Sequence, residues 1–388
     1  MNYLIKLSIL LVFITVFIGC SSNITKNSLP LDESILIEKP NINYDIKILP
    51  KKINILFLDN KNNPEKDFIN GLLRNYYYFK DTINYSPEIN LISHKNLLQN
   101  NCSFKQENNN YSIIFLSKKF FRILDPKCLN KITKLKGLII NENKNVRINK
   151  QNLTEFVVDM RNEHKDLLEY AKDNGNFNSL LIYENKGVNE ESIERVWLGL
   201  EGNIVLSSSS RNESNENTLP NILLIKNSEE RARKLRRILS VPLESTPRRR
   251  MDIDSIILSV PLEKARSLKP ELEYNFGETL SVYLFPNWDN ENYYFDKELD
   301  LEKVFLVDLP WMFNTEIDYL KSLPKKRGRF FAFGYDSYDI ALLLNTATGT
   351  RKFEYKAMSG EILYTNQILS RKSLKVKVKE GRFKSLGY

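Results

Sequence analysis

Histidine and cysteine are scarce: two and three in 388 residues. Neither His94 nor His164 lies in an HExxH pair, which excludes the zincin helix. There is no GxSxG elbow, no GxxxxGK[ST] phosphate loop, and no GxGxxG following a strand. Cys20, Cys102 and Cys128 form neither a CxxC pair nor a Cys/His cluster, so metal-ligand spacing is missing too. His164 sits among the charged residues 161–166 and reads as a solvated side chain. Asp252 and Asp254 share a strand face, yet nothing in their spacing marks a general acid and a general base. The expectation is a protein that is not an enzyme, with no catalytic residue, no metal and no cofactor.

Long apolar runs are also few. The most prominent, residues 7–18, follows Lys6 and is too short to span a bilayer, which fits the hydrophobic region of a secretory signal. It ends in Phe17-Ile18-Gly19-Cys20, which resembles a bacterial lipobox. Cleavage is expected between Gly19 and Cys20, with diacylglycerol on the Cys20 sulfur. Acyl chains buried at about 0.8 kcal/mol per methylene give firm anchoring. Ser21 stands where Asp often signals inner-membrane retention, so the outer membrane is the expected address. Loss of the signal removes Lys6 and takes the formal charge from +9 to +8. Such a surface suits nucleic acid in a cytoplasmic protein. In the periplasm nucleic acid is not an expected partner, and acidic protein faces or peptidoglycan carboxylates replace it. Cys102 and Cys128 remain in an oxidising compartment. One disulfide or two buried thiols are both compatible with that.

The expected organisation is a signal peptide over 1–19, a lipid-anchored tether over 20–50 punctuated by Pro30, Pro40 and Pro50, and a globular part over 51–388. Continuous apolar runs at 53–58, 111–116, 137–140 and 179–183 read as buried strands. Asn63-Pro64-Glu65 reads as a helix start, with Ile69, Leu72, Leu73 and Tyr76 on one face. Residues 154–172 read as a helix and 221–225 as a strand. Ser228 reads as the cap of a helix whose apolar stripe is Ala232, Leu235 and Leu239. A strand over 253–260, a helix over 262–269 and a strand over 280–285 follow. Alternating strands and helices predict an α/β chain with mainly parallel sheets. At the end, Leu374, Val376 and Val378 alternate with lysines, the pattern of a half-exposed antiparallel strand.

Arg248-Arg249-Arg250 enter the strand at 253–260. Two readings stay open: a solvated strand entry paired with Asp252 and Asp254, or a contact for a partner or glycan, since arginine forks grip carboxylates. Trp311, beside Pro310, reads as a packing residue more readily than as a binding hot spot.

The segment 228–288 resembles the LppC-type lipoproteins. An Arg/Leu-rich helix precedes Arg248, Arg249, Arg250, Asp252, Ile253 and Asp254, then Pro270, Leu272, Gly277, Val282 and Tyr283. Asp300, Leu301, Phe305, Asp308, Pro310 and Trp311 match a second motif, with Lys303 where the family usually has Gly. Phe333, Gly334, Tyr335, Asp336 and Tyr338 match a third, and Gly360, Leu363, Phe383 and Gly387 a closing hairpin. The resemblance implies a type I periplasmic-binding-protein-like fold of two lobes with crossing strands, lobe 1 at about 51–150 and 285–345 and lobe 2 at about 151–284 and 346–388. It further implies an outer-membrane lipoprotein that binds a class A penicillin-binding protein and activates its transpeptidase, with peptidoglycan as a further partner. A lipid-anchored solute receptor of the same fold is the alternative. Two features depart from the family. Its long members place a helical repeat domain before this fold, whereas here the tether leads directly into residues 53–58. Its Pro-x-Ser-Gly loop after the first strand is replaced by residues 59–64.

Overall fold

The computed structural model describes residues 35, 37–40, 46–58, 63–99, 102, 110–142, 152–158, 161–184, 187–211, 218–242, 244–275, 277–286, 297–313, 328–346, 352–366 and 368–388. The chain first forms β1 (Lys52–Phe57), α1 (Asn63–Ile83), β2 (Glu88–Ser93), α2 (His94–Gln99), β3 (Asn110–Leu116), α3 (Lys118–Ile123), α4 (Pro126–Ile132), β4 (Gly137–Asn141) and β5 (Leu153–Val157). These strands pair in parallel in the order β2-β1-β3-β4-β5. Next come α5 (Arg161–Asp173), β6 (Asn178–Tyr183), α6 (Val188–Gly199), β7 (Asn203–Ser209), α7 (Leu219–Ile222), α8 (Ile225–Leu239), β8 (Ser255–Ser259), α9 (Leu262–Tyr274), β9 (Ser281–Leu284) and β10 (Phe305–Asp308). After α10 (Pro310–Phe313) and α11 (Arg329–Thr346) the chain ends in β11 (Phe353–Ala357), β12 (Gly360–Thr365), β13 (Ile368–Lys372), β14 (Leu374–Lys379) and β15 (Arg382–Gly387).

The second sheet runs β15-β14-β10-β9-β8-β6-β7. Its strands β6 to β10 are mutually parallel, and β14 and β15 extend it in antiparallel sense. A separate antiparallel meander joins β11, β12 and β13. The α/β class with mainly parallel sheets is therefore present.

Alternation along the central strands sends side chains to two faces. Ile53, Ile55, Ile113, Phe115, Leu138 and Ile140 enter one large core, which also takes Leu180, Ile182, Ile256, Leu258, Val282 and Leu284 of the second sheet. The opposite face of the first sheet packs Leu56, Ile114 and Ile139 with Cys102 and Cys128. That of the second packs Leu181, Ile257 and Tyr283 with Leu167, Leu168 and Trp197. Strands covered on both faces need apolar residues at every position, which is why these runs were legible.

Several expectations change. Residues 154–157 are strand, not helix; Thr154 and Glu155 are half-buried at the sheet edge, and Glu155 accepts a hydrogen bond from Asn141 (2.7 Å). Residues 219–222 are one helical turn, and Leu224 in left-handed conformation (φ 59°) starts α8 before Ser228, whose Oγ accepts from the Arg248 backbone N–H (3.0 Å). The buried face of α1 carries Phe68, Leu72, Asn75 and Phe79. It is rotated from the expected one, leaving Ile69 and Tyr76 partly buried. His164 is buried, not solvated, and meets the Phe285 ring edge-on at 5.1 Å. Part of the stretch expected as a tether, 20–50, is packed instead: Ile35, Ile37 and Leu49 are buried in the main core, where their apolar side chains leave water. Two segments move relative to the expected lobes. β5 belongs to the sheet of β1 to β4, and β10 pairs with β9 and β14.

Helices α1 and α11 approach backbone to backbone. A Cβ on Gly334 would overlap the Phe68 carbonyl, and one on Gly71 the Phe331 carbonyl. Both obstacles are backbone atoms, so neither can swing aside. Gly334→Ala is expected to destabilise the protein by about 3 kcal/mol, read as a lower midpoint in urea, with Gly199→Ala as the control because a Cβ there meets nothing within 4 Å.

Candidate functional site

In open α/β sheets the ligand crevice lies beyond the carboxyl ends of the strands, where the strand order reverses. The first sheet reverses between β1 and β3, the second between β6 and β8. Each reversal point is filled by the same pair. At the first, Glu65, third residue of α1, accepts from Ser117 Oγ at 2.8 Å, just past β3. At the second, Glu190, third residue of α6, accepts from Ser259 Oγ at 2.6 Å, at the end of β8. Glu190 also accepts from the Gly187 backbone N–H at 2.8 Å. Both glutamates are buried. A helix N-terminus favours an anion, and here each receives a carboxylate of the chain itself.

A third early glutamate, Glu163, also the third residue of its helix, lies at the centre of a buried ion cluster. It accepts from Arg329 (2.5 Å), Arg371 (2.8 Å) and Ser373 Oγ (3.1 Å). Arg329 also pairs with Asp308 at the end of β10. Thus one guanidinium at the start of α11 ties the segment after β5 to the last residue of β10. Burial alone would raise the Glu163 carboxyl, but Arg329 and then Arg371 overcome it and hold it at about 2. Asp308 is pushed up to about 7 by burial, against Arg329 and with help from Glu163. Its Oδ2 has no hydrogen-bond partner among the described residues.

Two turns further along α11, Asp336 accepts from the backbone N–H groups of Met358 (3.2 Å) and Ser359 (2.6 Å), and burial raises it to about 7. Asp339 binds Lys39 Nζ (2.9 Å), which also donates to Asn75 (2.6 Å) and lies 4.2 Å from the Tyr335 ring centre. Lys39 therefore fastens residues 37–40 to α1 and α11. These side chains satisfy one another, which suits architecture better than proton transfer.

Of the arginine run, Arg250 binds Asp252 through two hydrogen bonds (2.7 and 2.5 Å). Arg249 donates to the carbonyls of Arg250 (2.8 Å) and Ile253 (3.2 Å) and to Thr279 Oγ1 (3.0 Å). Asp254 does not join them; it accepts from the backbone N–H groups of Phe177 and Asn178. Arg248 is exposed. Cys102 and Cys128 are joined by a disulfide, with Cα atoms 5.3 Å apart. Trp311 is fully buried, stacked on Phe331 at 5.0 Å. Gly19 and Cys20 lie outside the described residues. Among the described residues no group of three or more His, Cys, Asp or Glu could hold a metal ion, and no helix is long and apolar enough to cross a membrane. Sequence reasoning missed Glu163, Arg329, Arg371 and Lys39. The available signal was an acid at the third position of α1, α5 and α6, each of which follows a strand, and it was read only at Glu65.

Residues 197–365 match the family model described as "LppC putative lipoprotein". LpoA from Haemophilus influenzae is similar in fold, with a TM-score of 0.60 at 14% identity, over 90% of this chain and 60% of that one. The LpoA C-domain alone gives 0.55 at 13%, over 86% of this chain and 99% of that one. The chain carries an LppC-like domain. It spans about 60% of the length of full-length LpoA. The fold of the LppC-like domain is type I periplasmic-binding-protein-like. A "putative branched-chain amino acid ABC transporter" from Rhodospirillum rubrum shares it, with a TM-score of 0.57 at 13% identity, over 86% of this chain and 99% of that one. No curated protein matches the chain by sequence. Proteins described as a regulator of PBP1A and as a putative branched-chain amino acid ABC transporter thus share this fold.

Glu163→Gln leaves two buried guanidinia short of a counter-charge and is expected to cost about 3 kcal/mol or more at pH 7. Because the Glu163 carboxyl falls from 4.5 to about 2 on folding, its contribution is present above pH 4.5 and fades as pH falls towards 2. The deficit of the variant should narrow over that window in denaturant titrations. Asp308 has the opposite sign. Raised from 3.8 to about 7, it takes up a proton on folding and so lowers stability as pH rises through that interval. Asp308→Asn should flatten that slope.

Proposed function

We propose that this chain is a non-catalytic, lipid-anchored protein of the outer membrane, facing the periplasm. In this reading it binds a class A penicillin-binding protein and stimulates its transpeptidase. The lipid is carried by Cys20, after cleavage behind Gly19. The observation that carries the reading is the Glu–Ser pair at each reversal point: Glu65 with Ser117 and Glu190 with Ser259. The two places where this fold would take a small anion are filled by the protein's own carboxylates. A surface for a macromolecule then becomes the better candidate for function. The LppC match over 197–365 supports the same direction, as does the likeness to the LpoA C-domain, described as a regulator of PBP1A. Arg248 offers an exposed cation to such a partner, while Arg249 and Arg250 are engaged within the strand entry.

A second reading, a lipid-anchored solute receptor, is favoured by one observation. The Rhodospirillum rubrum protein matches over nearly its whole length and at a TM-score comparable to that of the LpoA C-domain.

The two readings separate in one experiment. The chain from Ser21 onward is added to the same organism's class A penicillin-binding protein with lipid-linked substrate, and crosslinked muropeptides are quantified. A dose-dependent rise is expected. No rise and no complex, together with a raised thermal midpoint on adding leucine, isoleucine or valine, would select the receptor.

A further inference from the structure

Helix α8 has an unusual surface for a chain with so large a core. Its sequence is strongly two-faced, and the stripe Ala232, Leu235 and Leu239 is expected to face inward. The structure leaves it open: Leu235 is 47% exposed, Ile238 77% and Leu239 53%. Val241, just past the helix, is 51% exposed, and Met251, after the arginine run, 80%. Leu235, Ile238 and Leu239 stand at i, i+3 and i+4, the spacing by which a helix sets anchors into a groove. Charge rims the stripe. The helix holds Lys226, Arg231, Arg233, Lys234, Arg236 and Arg237 against Glu229 and Glu230, a formal surplus of 6 − 2 = +4. Exposed Arg248 lies close by, since its backbone N–H donates to Ser228 of this helix.

We infer that α8, with Val241, docks in an apolar groove rimmed by carboxylates on the peptidoglycan synthase; this rests on the function proposed above. Charge complementarity selects an acidic partner. A second copy of this chain would bring the same cationic rim against itself, and like charges across an interface disfavour that pairing. Membrane-surface helices draw on Trp and Phe as well as Leu for their apolar face, and residues 225–251 contain no Trp, Tyr or Phe. The stripe is aliphatic and short, suited to a groove and not to a lipid surface.

The test measures binding of the chain from Ser21 onward to the class A penicillin-binding protein at low and high salt. Ile238→Glu is expected to weaken binding at least about tenfold with the thermal midpoint unchanged, because Ile238 touches little of its own protein. The double variant Lys234→Glu/Arg237→Glu should slow association and lose most of the salt dependence. If the parent chain binds and both variants bind equally well, the inference fails while the proposed function stands. If the parent chain neither binds nor stimulates the synthase, both fail. Sedimentation with vesicles of phosphatidylglycerol and phosphatidylethanolamine, and sedimentation velocity of the protein alone, complete the set. Ile238-dependent binding to vesicles, or an Ile238-dependent dimer, would overturn the inference in favour of that occupant.

Discussion

One carboxylate holds together segments that are remote in the chain. Glu163 follows the last strand of the first sheet, Arg329 opens the helix lying on α1, and Arg371 ends the antiparallel meander just before β14. Arg329 then reaches Asp308 in the second sheet. A buried charge without partners is very costly, so these four groups must be assembled together or not at all. The sheets, the meander and α11 are therefore coupled by an all-or-none electrostatic condition in addition to the shared apolar core.

That condition was hard to see in the sequence, whereas the strands were easy. Runs such as 53–58 and 111–116 announce themselves because both faces of a central parallel strand are covered. Edge strand β5 carries Thr154 and Glu155 and runs almost directly into α5, so its period merged with that of the helix. The run 221–225 is apolar and short, and at that length a helical turn and a buried strand look alike. His164 misled through its charged neighbours. Its face is set by Leu167, Leu168 and Ala171 at i+3, i+4 and i+7, all buried. The pairing of Glu163 with Arg371 spans 208 positions, and no local pattern encodes it.

The reversal points link fold to function. A binding-protein-like scaffold offers two helix N-termini where a ligand's charge can be received. In this chain both receive glutamates from their own helices, each held by a serine across the reversal. The same local chemistry, repeated in two sheets, turns receptive ends into structural joints. Among the features open to solvent in the described residues is a cationic helix with an aliphatic stripe, next to an arginine run of which two members are tied into the strand entry.

The placement of β14 has a consequence for how the chain reaches this state. β14 closes the side of β10 that would otherwise be a bare row of unpaired backbone groups, and Arg371, just before it, completes the ion cluster. Until residues 371–379 have emerged, the second sheet keeps an open edge and Glu163 lacks one of its two cations. Partly made chains are thus held short of the native state by their own topology. Long-range closure of this kind is slow, so the docking of β14 is the step on which both the edge of β10 and the last cation of Glu163 wait.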